Sequence, residues 1–416
     1  MKLTNVSFSN SYLINSLKII SSQGLNSLFN FLIFFNIVKK IPEVNLSFFS
    51  GILFFIFIFM SIQQEILVEK NIYLSSRTYK NKVIICIGNL YHLIFILLTN
   101  IIFLLIYNFS HMQEIINYYY VLILVNSLII NEYIHKKLVI DGKYFLIYFI
   151  NFSKIFLFIV LYNKLDPLNI NYSFIIYGIA FNFSLIFFLY STLNDFYKTK
   201  LKIFNIKLIK YYNHFLAQQI NQSFFKVLNY DIFIVIVLIY IFDNLFTGAY
   251  RAFYNLLMPL ILLINLHPFL LKNYYKKNFL KLDRPKITQI NVVIVKYILI
   301  FFIALVVLIN LFDFNKLIIV FSNNYLINYE YILTFWFFYI PMSLLNLFNF
   351  YIFKLSNNFK LLISIYKKQF FINIILILLL IIFNNFKVFL ILMILRELIV
   401  FIQTMQIFKN ENNYSS

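Results

Sequence analysis

Polar residues recur every three or four positions inside four long apolar runs of this 416-residue chain. This spacing places them on one face of a helix, where they could line a polar pathway. Small polar residues also hold helices together in an apolar medium, so helix packing is the alternative. The stripes are Ser11, Asn15, Lys18, Ser22, Asn26 and Asn30 in the first run; Ser61, Glu65 and Glu69 in the second; His214, Gln218, Gln222, Lys226 and Asn229, followed by Asp231, in the seventh; and Arg251 with Asn255 in the eighth.

The charges inside the apolar runs are mostly positive. Their sign indicates an anionic ligand, and phosphate is the natural partner of Lys and Arg. A structural ion pair is the alternative for Lys18 with Glu65 and for Arg396 with Glu397, and Arg251 could extend to the outer interface. The cations are Lys18, Lys154, Lys226, Arg251, Lys296 and Arg396, and the anions are Glu65, Asp231 and Glu397.

No group of residues indicates covalent chemistry. The sequence shows no metal-ligand spacing, no Ser-His-Asp arrangement and no Gly-rich phosphate loop. Its one cysteine, Cys86, lies in an apolar run, and His92 and His267 are expected to be hydrogen-bonded packing residues. We therefore expect no catalytic residue, no metal and no cofactor, and we expect the protein not to be an enzyme.

The composition requires lipid as the solvent of most of the chain. Hydrophobic residues make up 62% of it and charged residues 12%, too few charges to cover a water-soluble protein of this length. Runs of about 20 apolar residues suit membrane-crossing helices. We predict an all-α integral membrane protein with about twelve such spans: 11–38, 46–69, 83–107, 115–135, 144–162, 170–193, 207–241, 248–271, 290–312, 329–354, 360–383 and 387–408.

The basic residues predict the orientation. Most loop Lys and Arg lie after even-numbered spans, whereas the odd-numbered connections hold only Lys39, Lys40, Lys164, Lys316 and Lys387. Because cytoplasmic loops are enriched in Lys and Arg, both termini are expected in the cytoplasm. The net charge of +20 is then a topology signal and not the footprint of a nucleic-acid-binding surface.

The basic connection NDFYKTKLKIFNIK follows the sixth span. It predicts a lobe of six helices in residues 1–194, a cytoplasmic connection in 195–206 and a second lobe of six helices in 207–416. Since six is even, both lobes enter the membrane in the same direction, as in a parallel repeat.

The seventh and eighth spans carry a family resemblance. NYDIFIVIVLIYIFDNLFTGAYRAFYNLLMPLILLINLHPFLLKNYYKKN is similar to the Wzx-type polysaccharide flippases of the multidrug/oligosaccharidyl-lipid/polysaccharide (MOP) exporter superfamily. An Asp in an apolar run precedes a Gly-x-Tyr signature, and a Pro follows before a basic loop: Asp231, Gly248, Tyr250, Arg251, Ala252, Pro268 and Lys272. The opening GLNSLFNFLIFFNIVKKIP resembles that family's first helix. The second span, FFSGILFFIFIFM, departs from it because it lacks a rich pattern of small residues.

This resemblance implies two lobes around a central cavity lined largely by spans one, two, seven and eight. It also implies a flippase for undecaprenyl-diphosphate-linked oligosaccharide in the bacterial inner membrane, serving O-antigen or capsule synthesis beside a polymerase and chain-length proteins. Transport could be coupled to a proton or Na⁺ gradient. The expected substrate-binding cations are Lys18, Lys154, Lys226, Arg251 and Arg396, the polar lining is Asn15, Asn26, Gln218, Gln222 and Asn255, and the ion-coupling candidates are Glu65 and Asp231.

Two alternatives remain. A cation-coupled small-molecule exporter of the same superfamily would be expected to have an acidic cavity, whereas the charges here are mostly positive. A membrane-embedded glycosyltransferase or polysaccharide polymerase would need a long loop outside the membrane, and no predicted connection is long enough for one.

Overall fold

The computed structural model describes residues 10–68, 81–109, 116–140, 142–199, 330–355 and 359–413, together with single positions between 207 and 254. Every regular element within these ranges is a helix, which confirms the predicted all-α class. The nine α-helices of the described ranges are α1 (Asn10–Lys40), α2 (Glu43–Gln63), α3 (Asn81–Phe109), α4 (Tyr118–Ile140), α5 (Tyr144–Lys164), α6 (Ile170–Thr199), α7 (Glu330–Leu355), α8 (Phe359–Phe383) and α9 (Phe386–Asn413).

These helices coincide with predicted spans 1–6 and 10–12. At the carboxyl ends, α6 continues to Thr199 where the predicted run ended at 193. Likewise α4 continues to Ile140 where the apolar pattern ended at 135. Hydropathy falls at the charged residues, but Glu132 and Lys136 form an i,i+4 ion pair of 2.5 Å that suits a helix. In the second span α2 gives way to a π-helical turn, Gln64–Val68. Spans 7–9 lie outside the described residues, apart from the single positions.

Large apolar side chains cover the outside of the described bundle. On α5 they form one stripe, in which Phe145 is 80% and Phe156 is 67% exposed. Water would make such a surface unfavourable, whereas lipid solvates it. Five described helices are long and apolar enough to cross a membrane, namely those containing Cys86–Asn108, Tyr144–Lys164, Ile170–Asn194, Leu361–Phe383 and Phe386–Ile407. The described part is therefore a multi-pass membrane fold.

Side-chain contacts give the relative directions of the helices. Contacts between α1 and α5 advance together along both sequences, so these two helices run parallel. The same holds for α4 with α6 and for α7 with α9, as expected of spans separated by one or three others. The contacts are Ser21–Tyr148, Asn26–Lys154 and Asn36–Tyr162; Asn117–Asn171, Ser127–Asn182 and Lys137–Ser191; and Asn346–Glu397 and Asn349–Thr404.

The contacts also recur with a period of six spans. Packing of α4 on α6 in spans 4 and 6 corresponds to packing of α7 on α9 in spans 10 and 12. Packing of spans 2 and 6 through Phe49 and Phe174 corresponds to that of spans 8 and 12 through Tyr250 and Phe389. The predicted boundary at 195–206 runs past Thr199 into residues that the structure does not describe. The two-lobe division stays a prediction that this repetition favours.

Close approach of α4 and α6 depends on Gly178. A Cβ added there would lie 3.0 Å from Cγ2 of Ile123 and 3.1 Å from the backbone of Leu124. A larger residue would push the two helices apart, so glycine sets their separation. Gly142 has a different role, because its φ of 70° forms the turn that joins α4 to α5.

Candidate functional site

The predicted site residues fall into three groups. The structure describes the side chains of Lys18, Asn26, Lys154 and Arg396. For Asn15 it describes a place in α1, and for Glu65 a place in the π-helical turn. Outside the described residues lie Lys226, Arg251, Gln218, Gln222, Asn255 and Asp231. The predicted cavity lining can therefore be followed only on its first two spans.

Lys154 and Asn26 meet between α1 and α5. Lys154 is fully buried, and its Nζ donates a hydrogen bond of 2.6 Å to Oδ1 of Asn26. The same Nζ lies 4.7 Å from the ring centroid of Phe181 on α6, within cation–π range. Lys18, in contrast, is exposed on α1. Of the four described site residues, the structure thus brings together two.

The Lys154–Asn26 contact belongs to a polar seam that sequence reasoning only half identified. The hydroxyls of Ser21 and Tyr148 lie 2.6 Å apart, and Asn151 Nδ2 donates a long bond of 3.5 Å to the Ser22 carbonyl. Asn151 precedes Lys154 by three residues and Tyr148 precedes Asn151 by three, so each is the neighbour of the next on α5. That spacing was a usable signal, because it continues the face that Lys154 marks.

Arg396 occupies a second buried polar cluster, between α7 and α9. Its Nη2 donates to Oε1 of Glu397 at 2.6 Å and to the hydroxyl of Tyr339 at 2.9 Å. Asn346 Nδ2 donates to Oε2 of Glu397 at 2.8 Å and to the Glu397 carbonyl at 2.9 Å. The alternative of a local Arg396–Glu397 pair is thus realised in this conformation. Arg396 already has a counter-charge and needs no anionic ligand to supply one.

A third cluster lies where α2 becomes π-helical. Gln63 Nε2 lies 2.9 Å from Nδ1 of His92 and donates to the Ile129 carbonyl at 3.1 Å. His92 stacks on Tyr133, whose hydroxyl donates to Oδ1 of Asn89 at 2.6 Å. His92 is therefore the hydrogen-bonded packing residue that the sequence predicted. Gln63 and Asn89 were missed, because neither continues the polar stripes. No group of three or more possible metal ligands occurs in the described ranges.

Aromatic contacts join the first six helices to the later ones. Tyr91 on α3 stacks on Tyr212 with ring centroids 5.1 Å apart, and it donates to Asn213. Phe54 on α2 lies 6.4 Å from the ring centroid of Tyr250, which packs against Trp336 at 4.9 Å. Tyr250 belongs to the Gly-x-Tyr signature, and it is buried. Its role in the described structure is therefore packing between helices.

Comparison with solved structures decides the fold. A MATE in complex with MaD5 is 13% identical, with 97% of this chain and 96% of that chain covered and a TM-score of 0.61. An outward-facing multidrug resistance MATE family transporter of the MOP superfamily is 12% identical, with 96% of each chain covered and a TM-score of 0.60. The chain has the MATE fold.

A third structure with the MATE fold is a MOP superfamily transporter from Pyrococcus furiosus Vc1 (DSM3638), for which a reversed polarity of the binding pocket suggests a different function. It is 13% identical, with 96% of this chain and 95% of that chain covered and a TM-score of 0.56. No family model and no curated protein matches the sequence. At these identities the likeness concerns the fold, and it does not distinguish the Wzx-type branch from the multidrug branch.

Within the MATE fold of this chain, the described polar groups lie inside packed helices and form no catalytic arrangement. Lys154 is a titratable amine, whereas Arg396 is a permanently charged group with a fixed partner. The first can gain or lose a proton, and the second holds α9 against α7. Their chemistry is that of charge and hydrogen bonding.

Proposed function

We propose that this chain is a multi-pass transporter that moves its substrate by alternating access. The MATE fold over 97% of the chain is the observation that carries this proposal. An apolar outer surface and buried polar clusters support it, since intramembrane charges are costly and usually functional. The rocking of two lobes about a central site is the motion expected of such repeats.

As substrate we propose undecaprenyl-diphosphate-linked oligosaccharide, turned from the cytoplasmic to the outer leaflet of the bacterial inner membrane, with both termini in the cytoplasm. The support is the sequence resemblance and the positive charge of the predicted site. The diphosphate is attracted by Lys18, Lys226 and Arg251, while amide side chains hydrogen-bond the sugars and the lipid tail stays in the bilayer. Lys154 and Arg396 contribute less to this attraction, because both are enclosed in the conformation described.

The second candidate is a cation-coupled exporter of small molecules. Solved structures with the same fold include multidrug resistance MATE transporters, which supports this candidate. The Arg396–Glu397 pair also supports the exporter, because it reduces the excess of buried positive charge that favours an anionic substrate. Glu65 and Asp231 would then be the acidic residues that bind the coupling cation.

One pair of assays separates the two substrates. The chain is expressed in a strain that lacks its own flippase but keeps its glycan-assembly genes, and surface polysaccharide is measured. It is also expressed in a strain without multidrug exporters, and ethidium accumulation is measured. The flippase proposal expects restored polysaccharide and unchanged ethidium, whereas the exporter expects the reverse.

Variants of Arg251 then test its role in the site. With a phosphate-binding role, Arg251→Ala loses polysaccharide display and Arg251→Lys keeps part of it, because Lys retains the charge but not the planar guanidinium. Lys39→Ala, at the exposed end of α1, is the control and should display normally. Full display by both Arg251 variants at normal protein level would show that Arg251 does not contact the substrate.

A further inference from the structure

Lys154 is a fully buried cation whose described contacts include no carboxylate. Two neighbours on the same helix, Phe152 and Phe156, are 59% and 67% exposed, so α5 itself borders the lipid. The amine nevertheless turns inward, where its contacts are Asn26 Oδ1 at 2.6 Å and the ring of Phe181 at 4.7 Å. Both contacts are with uncharged groups.

The other buried cations of the described residues differ in this respect. Arg396 Nη2 lies 2.6 Å from Glu397, and Lys136 Nζ lies 2.5 Å from Glu132. An ion removed from water costs several kcal/mol unless a counter-charge and hydrogen bonds replace its hydration. A neutral amine needs no counter-charge, and Asn26 already accepts its hydrogen bond. The surroundings of Lys154 therefore suit a neutral amine. A charged Lys154 needs water or an anion beside Nζ, and another conformation must admit it.

The helix that carries Lys154 packs against α1, α4 and α6. On α4, Glu132 acts on it electrostatically from beyond contact distance while pairing with Lys136, and the buried His135 senses the charge of Lys154. On α1, the described charge nearest in sequence is Lys18, two turns before Asn26 and exposed. On α6, the described contact is an aromatic ring. None of these groups neutralises Lys154 directly.

We propose that Lys154 is the group that binds and releases a proton to couple transport to a proton gradient. This inference rests on the proposed transport function. The lone pair of Nζ accepts a proton from water on one side of the membrane and returns it on the other, and no other bond changes. Asn26 holds the amine from α1, so a movement of α1 against α5 changes what surrounds Nζ. The seam beside it consists of single contacts between neutral groups, such as Ser21 with Tyr148, which can re-form in a second arrangement.

Proton binding is tested without transport by placing a reporter ring beside Nζ. Phe181→Trp is made in a Trp336→Phe background, which removes the only native Trp, and the full chain is purified by gel filtration in detergent. Because a charged amine perturbs an indole at cation–π distance, we expect a single-proton transition in fluorescence as the pH is varied. Adding Lys154→Met or Lys154→Arg should abolish it. Phe183→Trp, whose native ring packs against Phe149 and Phe187, is the control and should show no such transition.

A transition that survives Lys154→Met, or the lack of one in the parent reporter, would overturn the proposal. If Phe181→Trp folds poorly, the wild type and Lys154→Met are compared instead by the number of protons that each protein releases when the pH is raised. The wild type should then release one more than the variant. An equal number would overturn the proposal in the same way.

Coupling itself is tested in proteoliposomes with an imposed pH gradient. The probes are a fluorescent undecaprenyl-diphosphate oligosaccharide and, separately, ethidium. In Lys154→Met and in Lys154→Arg, the pH gradient should no longer accelerate transport of the probe, although the probe should still equilibrate slowly. The reason is that neither side chain exchanges a proton over the pH range of the gradient. Lys136→Met should keep the acceleration. A gradient response in Lys154→Arg would refute the coupling role alone, whereas failure of the wild type to move either probe would refute the proposed function and coupling together.

Discussion

Replacing Glu397 by Gln removes the counter-charge of Arg396 while keeping the size of the side chain. Arg396 is 2% and Glu397 1% exposed, so water cannot compensate for the lost charge. The two bonds from Arg396 to Oε1, of 2.6 and 3.2 Å, are hydrogen bonds between charged groups, which contribute about 1.5–3 kcal/mol each. Breaking a buried pair from one side costs about 3–5 kcal/mol. We expect Glu397→Gln to lower the free energy of unfolding by that amount.

The only Trp of the chain provides the assay. Trp336 lies 5.4 Å from the ring of Tyr339, which accepts a hydrogen bond from Arg396. Its fluorescence therefore reports unfolding of the affected helices during denaturation of the purified protein in detergent. The midpoint for Glu397→Gln should fall clearly below that of the wild type.

Two further variants test the reason for this loss. Lys387→Met removes an exposed charge from the same helix, and it should change the free energy of unfolding by less than about 0.5 kcal/mol. The double variant Arg396→Met with Glu397→Leu removes both buried charges, so it should be less destabilised than Glu397→Gln. The electrostatic explanation is wrong if the double variant is the less stable of the two.

Three more predictions use the same fold. Gly178→Ala should lower the free energy of unfolding by about 1–3 kcal/mol, since it overpacks α6 against α4, whereas Gly51→Ala, with open space around its Cβ, should be neutral or slightly stabilising; denaturant unfolding compares them. Gln63→Leu should cost about 1–3 kcal/mol, because the buried imidazole of His92 loses the hydrogen-bond partner that Gln63 provides, and a wild-type unfolding midpoint would contradict this. In a Cys86→Ser background, Asp166→Cys in the α5–α6 connection should react with an impermeant maleimide added to intact cells, whereas Lys143→Cys in the α4–α5 turn should not; equal labelling would refute the proposed orientation.

Much of the fold could be predicted because lipid imposes simple rules on sequence. A backbone in lipid must satisfy its own hydrogen bonds, so long apolar runs become helices of a nearly fixed length. The predicted run 144–162 and the helix Tyr144–Lys164 differ by two residues at one end only. The predicted end of a helix was less accurate where charged residues lie inside the helix and not at its end. In α4 an internal ion pair suits the continued helix.

The candidate site could be predicted only in part. Lys154 was recognisable because a charge in an apolar run is conspicuous by itself. Its acceptor Asn26 also lay on a recognisable stripe, but nothing in either helix indicated that the two would meet across 128 positions. Gln63 and Asn89 belong to no stripe, and their importance appears only when α2, α3 and α4 pack together.

The sequence by itself therefore determined the helices, the alternation of their directions and the amount of charge held inside the membrane. These properties follow from composition and spacing within each segment, because the lipid environment acts on each helix separately. The tertiary structure alone decided that Arg396 is paired and that Lys154 contacts no described carboxylate. Such partnerships depend on how helices distant in sequence rotate and pack against one another, and residue spacing within one helix does not specify this.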